Sequence, residues 1–207
     1  YLTPGTMYLW GWQAFASLVA GSFLFLAGFS LALAHGAGIR WPAAARRLLT
    51  LGAAAALVTT ATYLAMPDSF IFFGILHSIT AASVIGLALL ALRTPAPLIL
   101  LAAAAVFAAA RWLKTSAFDA PWLLWLGLGT QPRLSLDYEP LFPWLAPFLL
   151  GLGIARLVMQ HGLLARRTSP PPALRVLAWP GQHSLAIYLI HQPVLISLLW
   201  AVTQVIR

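Results

Sequence analysis

Six side chains stand where an apolar chain would not place them without a use. His191 lies in the run Tyr188-Leu-Ile-His191-Gln-Pro-Val194, and His77 lies in Phe73-Gly-Ile-Leu-His77-Ser78. Asp137 and Glu139 flank Tyr138 just before Pro140, with Trp144 four residues on. Histidine and carboxylate are the commonest proton acceptors in catalysis, and histidine is also a nucleophile that can carry an acyl group. Ionisable groups inside apolar helices are costly and rare, which makes His77 and His191 candidates by default. Ser184, Tyr188 and His191 recur at i, i+4 and i+7, so they share one helix face. Gly74, His77, Ser78 and Ala81 form a comparable small, polar face. Two such faces can meet and enclose a wet cavity, with Tyr188, Ser184, Ser78 and Trp144 as substrate contacts. The plain alternative is that these groups bridge helices by hydrogen bonds of about 0.6 kcal/mol each. For Asp137 and Glu139 the plain alternative is capping of the helix that starts at Pro140, a favoured first-turn residue.

The elements that hold these residues are apolar. Hydrophobic residues make up 61% of the 207 and charged residues only 8%, against about 25% charged in a soluble domain. The composition is that of a membrane protein. Six stretches approach the roughly 20 apolar residues a spanning helix requires: Trp10–Ala34, Ala43–Ala65, Phe70–Leu92, Pro95–Leu113, Pro140–Gln160 and Gln182–Ile206. Pro121–Leu128 is too short and, with two tryptophans, suits the membrane interface. The expected fold is an all-α polytopic bundle of about six spanning helices, forming one domain over 1–207. Ser17, Gly21 and Gly28 mark a close-packing stripe on the first helix, and Gly151 and Gly153 one on the fifth. Pro193 frees a backbone carbonyl near Leu189, which Gln192 or water would satisfy.

Charge sorts the two ends. Arg40, Arg46, Arg47, Arg93, Arg156, Arg166, Arg167 and Arg175 fall on one side of these spans. All four acids fall on the other, with Arg111, Lys114, Arg133 and Arg207. The positive-inside rule makes the arginine-rich side cytoplasmic and puts both ends of this chain outside. Arg40, Arg46, Arg47 and Arg93 are candidate phosphate ligands; topology and anionic lipid explain them equally. His35 and His161 are expected at the interface. The net charge of +8 rests on so few residues that it is no nucleic-acid footprint. With no cysteine there is no disulfide or thiolate metal site. The five histidines lack metal-ligand spacing, and neither a glycine-rich phosphate loop nor a nucleophile elbow is present.

Four segments, taken in order, resemble one family. They are Ser22-Phe-Leu-Phe-Leu-Ala-Gly-Phe-Ser30, Phe73-Gly-Ile-Leu-His77, Asp137-Tyr-Glu-Pro-Leu-Phe-Pro-Trp144 and Gly181-Gln-His-Ser-Leu-Ala-Ile-Tyr-Leu-Ile-His191-Gln-Pro193. They are similar to the bacterial relatives of heparan-alpha-glucosaminide N-acetyltransferase, in the transmembrane acyltransferase superfamily. The resemblance implies a multi-pass enzyme of the bacterial inner membrane. It would move an acetyl group from cytoplasmic acetyl-CoA to a sugar amine or hydroxyl outside. It implies acetyl-CoA as co-substrate and no metal. The bilayer and a glycan or other small acceptor would be its partners, with no nucleic acid and with self-association left open. Under it, His191, His77, Asp137 and Glu139 carry the chemistry and the four arginines hold the donor. Two departures accompany it. The lysosomal branch has a histidine three residues before a tryptophan that aligns with Trp10, where this chain has Met7. The polar first helix of bacterial members, with an Arg-Gly pair and a histidine, is expected to be missing. Either that segment supplied the histidine, or His77 or His191 substitutes, or the chain is inactive. A small membrane transporter and a non-catalytic scaffold are the alternative readings.

Overall fold

A computed structural model describes residues 10–36, 38–131 and 134–163, and in the C-terminal part 183, 185–190, 194, 198 and 201–202. The chain divides into two compact units, Tyr1–Leu164 and Ala165–Arg207. The first unit carries five helices: α1 (Trp10–His35), α2 (Trp41–Ala65), α3 (Ile75–Ala91), α4 (Ala96–Trp112) and α5 (Leu141–Gln160). Short 3-10 turns at Ser116–Phe118 and Pro121–Leu126 occupy the loop before α5. Among the described residues the only extended pairing is a single bridge between Phe73 and Tyr138. In the second unit, residues 185–190 are helical.

Helices α1, α2 and α5 are long and apolar enough to cross a membrane, and α3 and α4 are shorter apolar helices. The protein is an all-helical membrane protein. Apolar side chains face outward along α1 (Trp10, Phe15, Leu18) and α2 (Leu49, Leu57, Leu64), as lipid contact demands. The Trp122 side chain on the second 3-10 turn is also exposed, the behaviour expected of an interfacial segment.

Prolines begin α2 and α4 in the first turn, where a missing N–H costs nothing. Just past the end of α3, Arg93 takes the left-handed conformation (φ 53°) usually given to glycine. The Arg156 guanidinium closes that turn by donating to the Thr94 carbonyl at 2.8 Å. The sequence expects this third span to begin at Phe70; it begins at Ile75. Residues 70–74 are instead drawn off as a non-helical segment with a bend at Phe72 and a bridge at Phe73, because their polar groups are bonded sideways. Ile71 N–H donates to Thr62 Oγ1 at 3.0 Å, and Glu139 N–H donates to the Phe73 carbonyl at 3.1 Å.

Helices α1 and α5 run parallel and form the centre. A Cβ on Gly28 would strike the Phe148 carbonyl of α5, and one on Gly151 would strike the Phe25 carbonyl of α1. The two glycines therefore let each backbone rest on the other, as the small-residue stripes lead one to expect. Gly153 gives room to Leu100 of α4, whereas a Cβ at Gly21 would only touch the Trp144 ring, at 3.8 Å. Helix α3 packs beside this pair, with Gly86 against Leu31 and Phe148. His35, expected at the interface, is instead buried, and its Nδ1 accepts the Arg40 backbone N–H at 3.3 Å, tying the end of α1 to the start of α2.

Candidate functional site

The N-terminal end of α3, the end of α2 and the segment 135–139 converge at the acid-bearing end of the bundle. Four contacts hold the segment in place. Leu136 N–H donates to the Ser69 carbonyl at 2.9 Å, and the Ser135 hydroxyl reaches the Phe70 carbonyl at 3.1 Å. Tyr138 stacks on Phe72 with ring centres 5.3 Å apart, and its hydroxyl donates to the Leu124 carbonyl at 2.6 Å. Trp125 lies 6.0 Å from the Phe73 ring, closing the loop over the site. Gly127 allows that loop to turn: its φ is +80°, and a side chain there would collide with Pro140 and the Phe142 carbonyl.

The two carboxylates of the segment have different tasks. Asp137 Oδ2 accepts the Ile75 backbone N–H at 3.0 Å, capping α3. The sequence suggests a capping role for the helix starting at Pro140; the carboxylate caps a different helix, brought alongside by the Phe73–Tyr138 pairing. Helix α5 has Pro140 at its N-cap and receives no side-chain cap. Gly74 is needed here, since a Cβ would overlap the Asp137 carboxylate.

Glu139 is half-buried and takes the Trp144 indole N–H. Burial pushes its carboxyl up, the neighbouring Asp137 charge pushes it further, and the Trp144 bond only partly offsets them. The result is about 8, against an ordinary 4.5. At the same end Asp119 behaves oppositely. The Thr130 hydroxyl first, and then the Thr130 and Gln131 backbone N–H groups, hold it below the ordinary range.

His77 and Ser78 complete the cluster. His77 Nδ1 accepts the Gly74 N–H at 3.3 Å, and Nε2 lies 3.3 Å from Thr59 Oγ1. Ser78 is fully buried, and its hydroxyl donates to the Glu139 carbonyl. Replacing Ser78 with alanine leaves that buried carbonyl without its partner. The expected cost is about 1–3 kcal/mol of stability, read as a lowered thermal midpoint in detergent.

Five of the residues singled out from the sequence thus come together: His77, Ser78, Asp137, Glu139 and Trp144. The four arginines sit at the opposite end. Arg40, Arg46 and Arg93 are exposed there, while Arg47 reaches between α1 and α2 to the Ala27 carbonyl and Ser30 Oγ, each at 3.4 Å. Tyr188 belongs to the second unit and is half-buried. His191 and Ser184 lie outside the described residues. Sequence reasoning missed Thr59, an ordinary threonine in an alanine-rich helix with no local signal of its role.

A family model matches residues 1–193: heparan-alpha-glucosaminide N-acetyltransferase, catalytic. No curated protein and no solved structure matches the chain. With nearly its whole length matched and its helices apolar, the chain belongs to the heparan-alpha-glucosaminide N-acetyltransferase catalytic family and is a membrane acetyltransferase by kind.

Proposed function

We propose that the protein transfers an acetyl group from cytoplasmic acetyl-CoA to a sugar amine or hydroxyl at the acid-bearing, outward end of the bundle. The observation that carries this reading is Glu139. A carboxyl poised at about 8 is close to neutrality, where an acid–base group works best. The arginines of the opposite end supply charges suited to the phosphates of the donor.

In this reading the acceptor nitrogen or oxygen attacks the acyl carbonyl carbon. The thioester bond breaks first, as the acyl group passes to its carrier, and the CoA thiolate takes a proton from solvent. The carrier's bond to the acyl group then breaks as the new N–C or O–C bond forms, and Glu139 takes the acceptor's proton. Asp137 caps α3 and, through its charge, keeps Glu139 basic. Trp144 orients the Glu139 carboxyl and offers a flat apolar face to a sugar ring. His191 is the remaining candidate for carrying the acyl group between the ends.

The test uses the full chain in sealed vesicles, with labelled acetyl-CoA on the arginine-rich side and glucosamine on the other. Labelled N-acetylglucosamine is expected, and His191→Ala is expected to abolish it. Uptake of the free sugar without acetyl-CoA would replace this reading with transport.

A further inference from the structure

Thr59 sits on α2, outside every motif that carries the family resemblance, yet two parts of the site meet at its hydroxyl. Thr59 Oγ1 donates to the Ile71 carbonyl at 2.7 Å. A hydroxyl has a single proton. Toward His77 Nε2, 3.3 Å away, it therefore presents only lone pairs, and that ring nitrogen must carry the hydrogen. The other side of the ring favours the same form. Nδ1 faces the Gly74 N–H at 3.3 Å and accepts best when bare. Either contact alone only biases the ring toward the neutral Nε2–H tautomer, and the two together fix it. A second proton on the ring would face a donor N–H and would place a positive charge at the N-terminal end of α3, the positive end of its dipole.

The same hydroxyl also sets where Glu139 stands. Ile71 is gripped twice from α2, at its carbonyl by Thr59 and at its N–H by Thr62 Oγ1 at 3.0 Å. Two residues on, the Phe73 carbonyl accepts the Glu139 N–H. A shift at Ile71 is passed to Glu139 through Phe72 and Phe73.

We propose that Thr59 is a positioning residue of this site: its hydroxyl locks His77 as the neutral Nε2–H tautomer and fixes the backbone register of Glu139. His77 then acts as a cap for α3 and takes no proton during transfer, which leaves that task to Glu139. This rests on the acetyl-transfer reading for its activity arm alone.

The experiment compares Thr59→Val, Thr59→Ser and Thr62→Val in the full chain, with nitrogen NMR of labelled histidine beside the transfer assay. In the unaltered protein and in Thr59→Ser, His77 is expected as a single Nε2–H tautomer. In Thr59→Val, which keeps the shape and loses the hydroxyl, both tautomers are expected. There kcat is expected to fall about 10- to 100-fold with KM little changed, the cost of a misplaced catalytic group. Thr62→Val loosens Ile71 without touching His77 and is expected to keep the single tautomer. A single Nε2–H signal in Thr59→Val, or mixed tautomers in Thr59→Ser, would overturn the lock. Full transfer by Glu139→Gln would remove Glu139 as the acid–base group, and no transfer by the unaltered protein would sink the acetyl-transfer reading, while the His77 spectrum would still decide the lock.

Discussion

Glu139→Gln is expected to lower acetyl transfer about 100- to 10,000-fold, the range for removal of a positioned acid–base group. Glutamine preserves the shape and keeps an oxygen for the Trp144 indole N–H. A loss in this variant therefore reports on the proton rather than on packing. The pH profile sharpens the test. Transfer by the unaltered protein is expected to rise with pH through about 8, where Glu139 ionises, and Glu139→Gln is expected to lose that limb. Stability should move the other way. The folded-state value of about 8 lies above the ordinary 4.5, so the folded protein holds more protons than the unfolded one between them. Its stability then falls as pH rises through that window and is flat below it. Thermal midpoints in detergent, measured across the window, should show this decline in the unaltered protein and a weaker one in Glu139→Gln. A decline of equal size in both would assign it to another group.

Gly28→Val and Gly151→Val are expected to cost the upper part of the roughly 1–3 kcal/mol range for overpacked cores, or more. At each position the nearest atom to a new Cβ is a backbone carbonyl oxygen of the partner helix, at Phe148 and Phe25 respectively. A side-chain neighbour can rotate away, but a helix backbone can yield only by moving the whole helix. Gly52 of α2 provides the control. A Cβ there meets nothing within 4 Å, so Gly52→Ala is expected to be neutral or to stabilise by up to about 1 kcal/mol through helix propensity. Thermal unfolding of the three variants side by side checks both statements. Comparable losses at Gly28 and Gly52 would show that the seam between α1 and α5 is not what makes Gly28 necessary.

What could be read in the sequence depended on how local its physical cause was. Spans follow from the apolar run lengths, and α5 begins and ends within a residue of the expected Pro140–Gln160. Gly28 and Gly151 were legible as packing sites because close helix contact needs small residues whatever the partner. The grouping of His77, Ser78, Asp137, Glu139 and Trp144 was legible only as a set of types. Which of them touch was not, since Ile75 to Asp137 and Ser78 to Glu139 are separated by about sixty residues of chain. The start of α3 was misplaced for the same reason. Phe70–Gly74 is apolar enough to be helix, and its sideways bonding to Thr62 and Glu139 holds it out of the helix. Thr59 was invisible because its importance comes from two neighbours, Ile71 and His77, that lie 12 and 18 residues away.

The mutual contact of α1 and α5 also has a mechanical meaning. Phe25-Leu-Ala-Gly28 and Phe148-Leu-Leu-Gly151 are the same four-residue pattern used twice, each glycine seated on the other pattern's phenylalanine carbonyl. A joint made of two such reciprocal seats has no rotamers to adjust and cannot slide without lifting out of both seats together. It behaves as a fixed post. Any relative motion must be borne by parts joined through side chains, and α2, which buries only Ala44, Ala54 and Ala55, is held by the hydrogen bonds of Arg47, Thr59 and Thr62 rather than by packing.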